Sequence, residues 1–233
     1  MKKLMLSLAG LIFVVSANAQ SLEEIVKKYT DANRLDKIAT LKTIRITGSM
    51  SMMGADLPLT MWMKNPDKIK TVTSFNGQEM IQVYDGTKGY IVNPMMGSAI
   101  PKEMTPEEIR QTLRTNIFQN YMANYLKNGQ LTMAGEDKVN GKPAFRLKAK
   151  LEEGITVDFL IDKSSYLMVK VASTITQNGT PINVEAYPAD YREVNGLLLP
   201  MKTMTTAAGM QMEMVFTKVE VNIPMDDSIF RVN

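Results

Sequence analysis

Apart from Asn128-Gly129, which follows a helical period, five Asn-Gly or Asp-Gly dipeptides punctuate the chain, at Asn76-Gly77, Asp85-Gly86, Asn140-Gly141, Asn178-Gly179 and Asn195-Gly196. A two-residue hairpin turn of type I′ needs both central residues at positive φ, which these residue types tolerate best. Between the dipeptides lie stretches rich in Thr, Val, Ile and aromatics, with apolar residues at alternate positions. That combination commits the chain to antiparallel strands joined by tight turns. No internal repeat, low-complexity tract or Pro-rich linker interrupts the pattern. One antiparallel sheet of roughly ten strands, carrying a few helices, is therefore expected over residues 20–233 as a single domain.

The alternation is one-sided. Ile44, Ile46, Met50 and Met52 share a face with Gly48, opposite Thr43, Arg45, Thr47, Ser49 and Ser51. Leu57, Leu59, Met61 and Met63 share another, with Trp62 on the far side. Met210, Met212, Met214 and Phe216 form a third, opposite Gln211, Glu213 and Val215. An antiparallel sheet with one packed and one solvated face gives this pattern. Met is unusually frequent, with 20 residues. Its unbranched, polarizable side chain suits surfaces that adapt to varied apolar partners, although plain core filling explains any single one. These Met-rich positions, together with Met80, are the candidate lining of an apolar cavity.

Two helices are legible. Ser21 to Glu24 is a capping box, followed by Leu22, Ile25, Val26 and Tyr29 at helical spacing to about residue 33. Residues 36–41 allow a further short turn. Thr105-Pro106-Glu107-Glu108 starts a second helix, in which Ile109, Leu113, Ile117, Tyr121 and Tyr125 recur every fourth residue until Asn128-Gly129. Two helices, each ~10 Å wide, cannot cover a sheet whose strands lie ~4.8 Å apart over ten strands. Either the sheet curls on itself, or part of its Met-rich face lines a cavity under a lid made by Ile109, Leu113, Ile117 and Tyr121.

The N-terminus reads as an address. Lys2 and Lys3 precede a nearly unbroken apolar run, Leu4 to Val15, and Ala17-Asn18-Ala19 supplies a small-x-small cleavage site. The run is too short for a spanning helix, which needs about 20 residues. Residues 1–19 are expected to be a cleaved signal peptide, with export to a periplasm-like space. The chain contains no Cys, so neither a lipobox anchor nor a disulfide is expected.

With neither His nor Cys, Ser-His-Asp triads, Cys nucleophiles and most transition-metal sites are excluded. Glu23-Glu24 and Glu107-Glu108 fall in first turns of helices, where acids favour the dipole. Glu152-Glu153 precede Gly154 in a turn, and Asp226-Asp227 lie near the C-terminus. No enzyme activity, metal or cofactor is expected. Removing Lys2 and Lys3 lowers the formal net charge from +3 to +1, a poor basis for binding nucleic acid.

Several segments resemble a known family. Trp62-Met63-Lys64-Asn65-Pro66-Asp67 resembles the W-x-K-x-P-x segment of LolA, the periplasmic carrier of outer-membrane lipoproteins. Asp85-Gly86-Thr87-Lys88-Gly89-Tyr90-Ile91-Val92-Asn93-Pro94 is similar to the family's D-G-x-x-x-W-x-x-x-P hairpin. Tyr187, Asp190, Tyr191, Arg192, Gly196 and Pro200 match a pattern of LolA-like lipoprotein-sorting proteins of Bacteroidetes type, and Asp227-Ser228-Ile229-Phe230 its closing D-x-x-F.

The resemblance spans roughly residues 21–232. It implies an α+β fold: a strongly curved, unclosed antiparallel half-barrel with two or three helices over an apolar cavity for acyl chains. It also implies a monomeric carrier of lipoproteins, with an inner-membrane release complex and an outer-membrane receptor as partners. A binding or sensor protein of the same fold, for free lipid or another apolar ligand, is the alternative. Two positions depart from the pattern: Asn65 stands where proteobacterial carriers have Arg, and Ile69 where the cavity has an aromatic. Lys64 and Lys68 are candidate headgroup contacts at a cavity mouth, or else solvated strand-end lysines.

Overall fold

The computed structural model describes residues 20–232 apart from 53, 152, 153, 178 and 179. The signal segment, the Glu152-Glu153 pair and the Asn178-Gly179 turn lie outside these described residues. Helix α1 (Leu22–Ala32) begins where the capping box places it, with Ser21 Oγ accepting from the Glu24 amide, and α2 (Leu35–Ala39) follows. The first run of strands is β1 (Thr43–Met52), β2 (Ala55–Lys64), β3 (Lys68–Phe75), β4 (Gln78–Tyr84), β5 (Gly89–Asn93) and β6 (Ser98–Glu103). Helices α3 (Pro106–Leu113) and α4 (Tyr121–Lys127) come next. The second run is β7 (Leu131–Val139), β8 (Lys142–Lys150), β9 (Thr156–Asp162), β10 (Met168–Gln177), β11 (Thr180–Val194), β12 (Leu197–Ala207) and β13 (Met210–Val221).

All neighbours pair antiparallel in one 13-stranded sheet, ordered β6-β5-β4-β3-β2-β1-β13-β12-β11-β10-β9-β8-β7. The sheet has three more strands than the roughly ten expected. The two runs meet at its centre, where β1 pairs with β13. β6 and β7 remain as edges, so the half-barrel is not closed, and α3 and α4 form the connection between the two edges.

Asn76-Gly77, Asn140-Gly141 and Asn195-Gly196 all have positive φ at both residues, as a type I′ turn requires. Asp85-Gly86 differs. It opens a four-residue loop in which Asp85 Oδ1 accepts from the amides of Thr87 and Lys88. Ala208-Gly209 makes a further turn with both φ positive, although its dipeptide is not a turn signal.

Register explains the Met-rich face. Ile44, Ile46, Gly48, Met50 and Met52 sit opposite Met63, Met61, Leu59, Leu57 and Ala55, which puts both apolar sets on the side covered by the helices. β13 pairs Phe216 with Gly48, Met214 with Met50 and Met212 with Met52. A bulge at Thr217 then advances the register, so Val219 and Val221 join the same inner face opposite Ile46 and Ile44. Gly48 is required here, because a Cβ would lie inside van der Waals contact with the Val215 carbonyl oxygen.

The inner face carries two cores. A central one joins Ile38 and Leu41 to Ile44, Ile46, Met63, Ile69, Leu197 and Phe118. A lateral one packs Ile25 and Val26 of α1 on Phe145, Leu147 and Ile161. On the outer face the C-terminal residues fold back over the first run. Met225 and Phe230 pack against Val83, with Trp62, Ile81 and Tyr90 around them.

Candidate functional site

Between the inner face and α3 lies a mostly apolar cavity of about 360 Å³. Its floor includes Met50, Leu59, Met61, Met80 and Met214, all named from alternation, and its far wall is Ile91 and Val92. A polar band of Thr71, Thr73, Gln82, Asn93, Thr112 and Thr115 crosses it. Asn93 Oδ1 is buried and accepts no hydrogen bond from the described residues.

The other candidate lining residues lie elsewhere. Ile44, Ile46, Met63 and Ile69 are at most 2 % exposed and packed into the central core, beneath the helices rather than facing space. Phe216 packs against the margin of that core. Met52 and Met210 border a shallow groove at the hairpin tips, where Met210 is 53 % exposed. Met212 sits opposite Met52 on the inner face, between the tip and the cavity.

The expected lid helix is two helices. α3 ends at Leu113, residues 114–120 leave the helix, and α4 starts at Tyr121. Asn116 accounts for the break. It is 1 % exposed; its Nδ2 donates to the Pro66 carbonyl at 2.8 Å, and its Oδ1 accepts from the Phe118 amide at 2.9 Å. Asn120 then caps α4, accepting from the Ala123 amide, and donates to Thr30 Oγ1 of α1 at 2.9 Å. A short side chain that bonds backbone groups competes with the helix in this way. The segment is thereby tied to the β2–β3 turn at one end and to α1 at the other, with Phe118 seated in the central core.

The four lid residues are consequently distributed. Ile109 lies over Gly89 of β5. Leu113 and Ile117 pack on the central core, Ile117 from the non-helical segment. The Tyr121 hydroxyl donates to the Leu113 carbonyl, and burial pushes its ionisation up to about 12.

A second apolar cavity, of about 390 Å³, was not anticipated. It lies under α1, α2 and α4, against Phe159, Met168, Val171, Pro188 and Leu199 of the second run. Tyr29 and Tyr191 line it; burial holds Tyr29 up at about 12 and raises Tyr191 as well. Its walls come from many separate segments of the chain, so no local pattern announces it. Thr115 borders both cavities.

Several motif residues have structural partners, most of them away from the cavities, and Tyr191 in the wall of the second. Lys64 Nζ binds Asp227 Oδ1 at 2.6 Å and the Met225 carbonyl at 3.0 Å, and Lys68 binds Asp227 Oδ2 at 2.9 Å. Lys64 and then Lys68 hold the Asp227 carboxyl down at about 2. These part-exposed strand-end lysines fasten the C-terminal turn to the outer face. Asn65 Nδ2 donates to the Leu41 carbonyl at 2.9 Å, tying the end of β2 to the exit from α2. The Tyr191 hydroxyl donates to the Met168 carbonyl at 2.8 Å.

No protein-family model matches the chain, and no curated protein matches it in sequence. Solved structures do. A domain assigned to outer membrane lipoprotein sorting, from Vibrio parahaemolyticus, superposes with a TM-score of 0.60 at 12% identity, covering 90% of this chain and 97% of that one. A LolA superfamily protein from Nitrosomonas europaea gives 0.59 at 9% identity, covering 92% and 99%. A DUF1329 family protein from Desulfovibrio piger gives 0.58 at 11%, covering 89% and 97%. The chain has the fold of the LolA superfamily.

Proposed function

We propose that this protein is an exported carrier that shelters the acyl chains of lipoproteins and moves them toward the outer membrane. The observation that carries the reading is the mostly apolar space between the Met-lined inner face and α3, where Gln82 donates a hydrogen bond to Thr112 of that helix. Exposed acyl chains cost about 0.8 kcal/mol per methylene in water, so a shuttle must cover them. It must also release them, and a Met surface solvates a chain without fitting one shape tightly. The sorting role assigned to the Vibrio parahaemolyticus domain supports the same reading. In it, residues 1–19 are removed on export, residues 20–233 act as one soluble, monomeric binding domain, and the chain performs no catalysis. Its partners are an inner-membrane release complex and an outer-membrane receptor.

One observation favours a second reading, a binding or sensor protein for free lipid. Asn65, where proteobacterial carriers have Arg, bonds to the Leu41 carbonyl and so serves the attachment of α2. Native mass spectrometry of the protein purified from its own envelope separates the two. Bound triacylated lipoprotein supports the carrier, and free phospholipid the second reading. Protein that is empty as isolated and takes up no lipid afterwards refutes both.

A further inference from the structure

The two apolar cavities differ little in size, about 360 and 390 Å³, and each falls within the ~300–1,000 Å³ typical of ligand sites. They are roofed independently. α3 closes the first through Thr112, whereas α1, α2 and α4 close the second through Tyr29, Leu35 and Met122. Between them residues 114–120 dip to the sheet, and Phe118, 6 % exposed, packs into the central core with Ile38, Leu41 and Leu199. That core is a wall rather than a passage. Among the described residues only Thr115 borders both cavities, so a single long chain could pass from one to the other only there. Two chains joined at one head can diverge where the cavities share a boundary, and that boundary is Thr115.

We infer that the bound lipid places two acyl chains joined at one head in the protein, one chain in each cavity and the head at Thr115. The inference rests on the acyl-binding reading above and adds its stoichiometry: two separate tail sites, each used once. It also gives the buried core around Phe118 the role of partition between tails, with residues 114–117 and 119 in the wall of the second cavity.

The test uses protein stripped of lipid and titrated with palmitate, then with dipalmitoyl phosphatidylglycerol, under native mass spectrometry. Thr71→Phe on β3 fills the first cavity and Val171→Phe on β10 fills the second. Both are partly buried inner-face positions on strands, where an aromatic is well tolerated. The wild type should bind two palmitates, each single variant one, and the double variant none. The diacyl lipid should bind once to the wild type and lose at least tenfold in affinity in either single variant. The one palmitate retained by each single variant also shows that it has folded.

One palmitate on the wild type, abolished by either substitution, would mean a single continuous site and would overturn the two-chamber inference while leaving acyl binding intact. Diacyl lipid that binds both variants as tightly as the wild type would overturn it as well. No palmitate on any form would refute the acyl-binding reading itself.

Discussion

Asn116→Ala should loosen the segment over the cavities far more than it loosens the sheet. The side chain makes two hydrogen bonds, to the Pro66 carbonyl at 2.8 Å and from the Phe118 amide at 2.9 Å. A typical bond contributes about 1 kcal/mol net, and a buried amide left without a partner costs about 1–3 kcal/mol more. Truncation should therefore cost about 3 kcal/mol, close to a 100-fold rise in the undocked population of residues 114–120. Phe118 burial is worth a further ~2–3 kcal/mol and is untouched, so the segment still docks. The remaining ties, Gln82 to Thr112 at 2.7 Å and Asn120 to Thr30 at 2.9 Å, also survive.

Local openings of this kind are read by amide hydrogen exchange. Peptides covering residues 112–121 should lose about two orders of magnitude of protection, whereas β1 and β2 should change by less than tenfold. If the segment keeps its protection, Asn116 is not what holds it. If β1 and β2 lose as much as the segment, Asn116 stabilises the whole fold and the segment is no separate unit. Either result refutes the reasoning.

Two other perturbations follow from the geometry. Asp227→Asn removes the carboxylate that Lys64 and Lys68 hold down at about 2, against 3.8 unperturbed. A depressed carboxyl stabilises the fold above its unfolded pKa and loses that contribution as pH falls through its folded value. The melting temperature of the variant should thus lie below wild type at pH 6, and the gap should close between pH 4 and about 2; a gap independent of pH would contradict the ion pair. Gly48→Ala would drive a Cβ into the backbone of Val215 and Phe216, which cannot move aside as a side-chain tip can. Overpacking of this kind costs about 1–3 kcal/mol, or roughly 2–12 °C in melting temperature for a chain of this size, and a loss under 1 °C would refute the close approach of β1 and β13.

How much of this was legible depended on whether a local pattern decided the outcome. β1, β2 and β13 alternate because each has one inner face, and their observed pairing puts the expected residues together. Ser21 and Glu24 set the start of α1 through their own backbone bonds, so that boundary needed no tertiary information. The lid was different. Ile109, Leu113, Ile117 and Tyr121 keep a four-residue period with neither Pro nor Gly between them, yet the helix stops at Leu113. The cause is a carbonyl about 50 residues away in sequence, reached by Asn116. Two asparagines at 116 and 120, inside an otherwise apolar period, were the available signal. Alternation also cannot tell a packed inner-face residue from one beside empty space, which is why Ile44 and Met50 were read alike.

The segments that carry the resemblance and the residues that line the cavities overlap only in part: Ile91, Val92, Asn93, Tyr191 and Pro200 belong to both, while other motif residues serve the scaffold alone. Trp62, Lys64, Asp227 and Phe230 meet on the outer face, Asp85 holds a loop through its side-chain oxygen, and Tyr191 anchors β10 through its hydroxyl. Each of these needs one atom type at one place. An ion pair or a hydrogen bond fails when its partner changes, so such residues leave a readable pattern in a sequence. A cavity wall needs only apolar surface, and the hydrophobic effect is non-directional, so Met, Leu or Ile satisfy it almost equally. This is why a fold can superpose at a TM-score of 0.60 while identity is only 12%. Motifs of this kind specify the scaffold. What the scaffold holds is set by the volume and division of the space inside it, and here two cavities of similar size meet at Thr115.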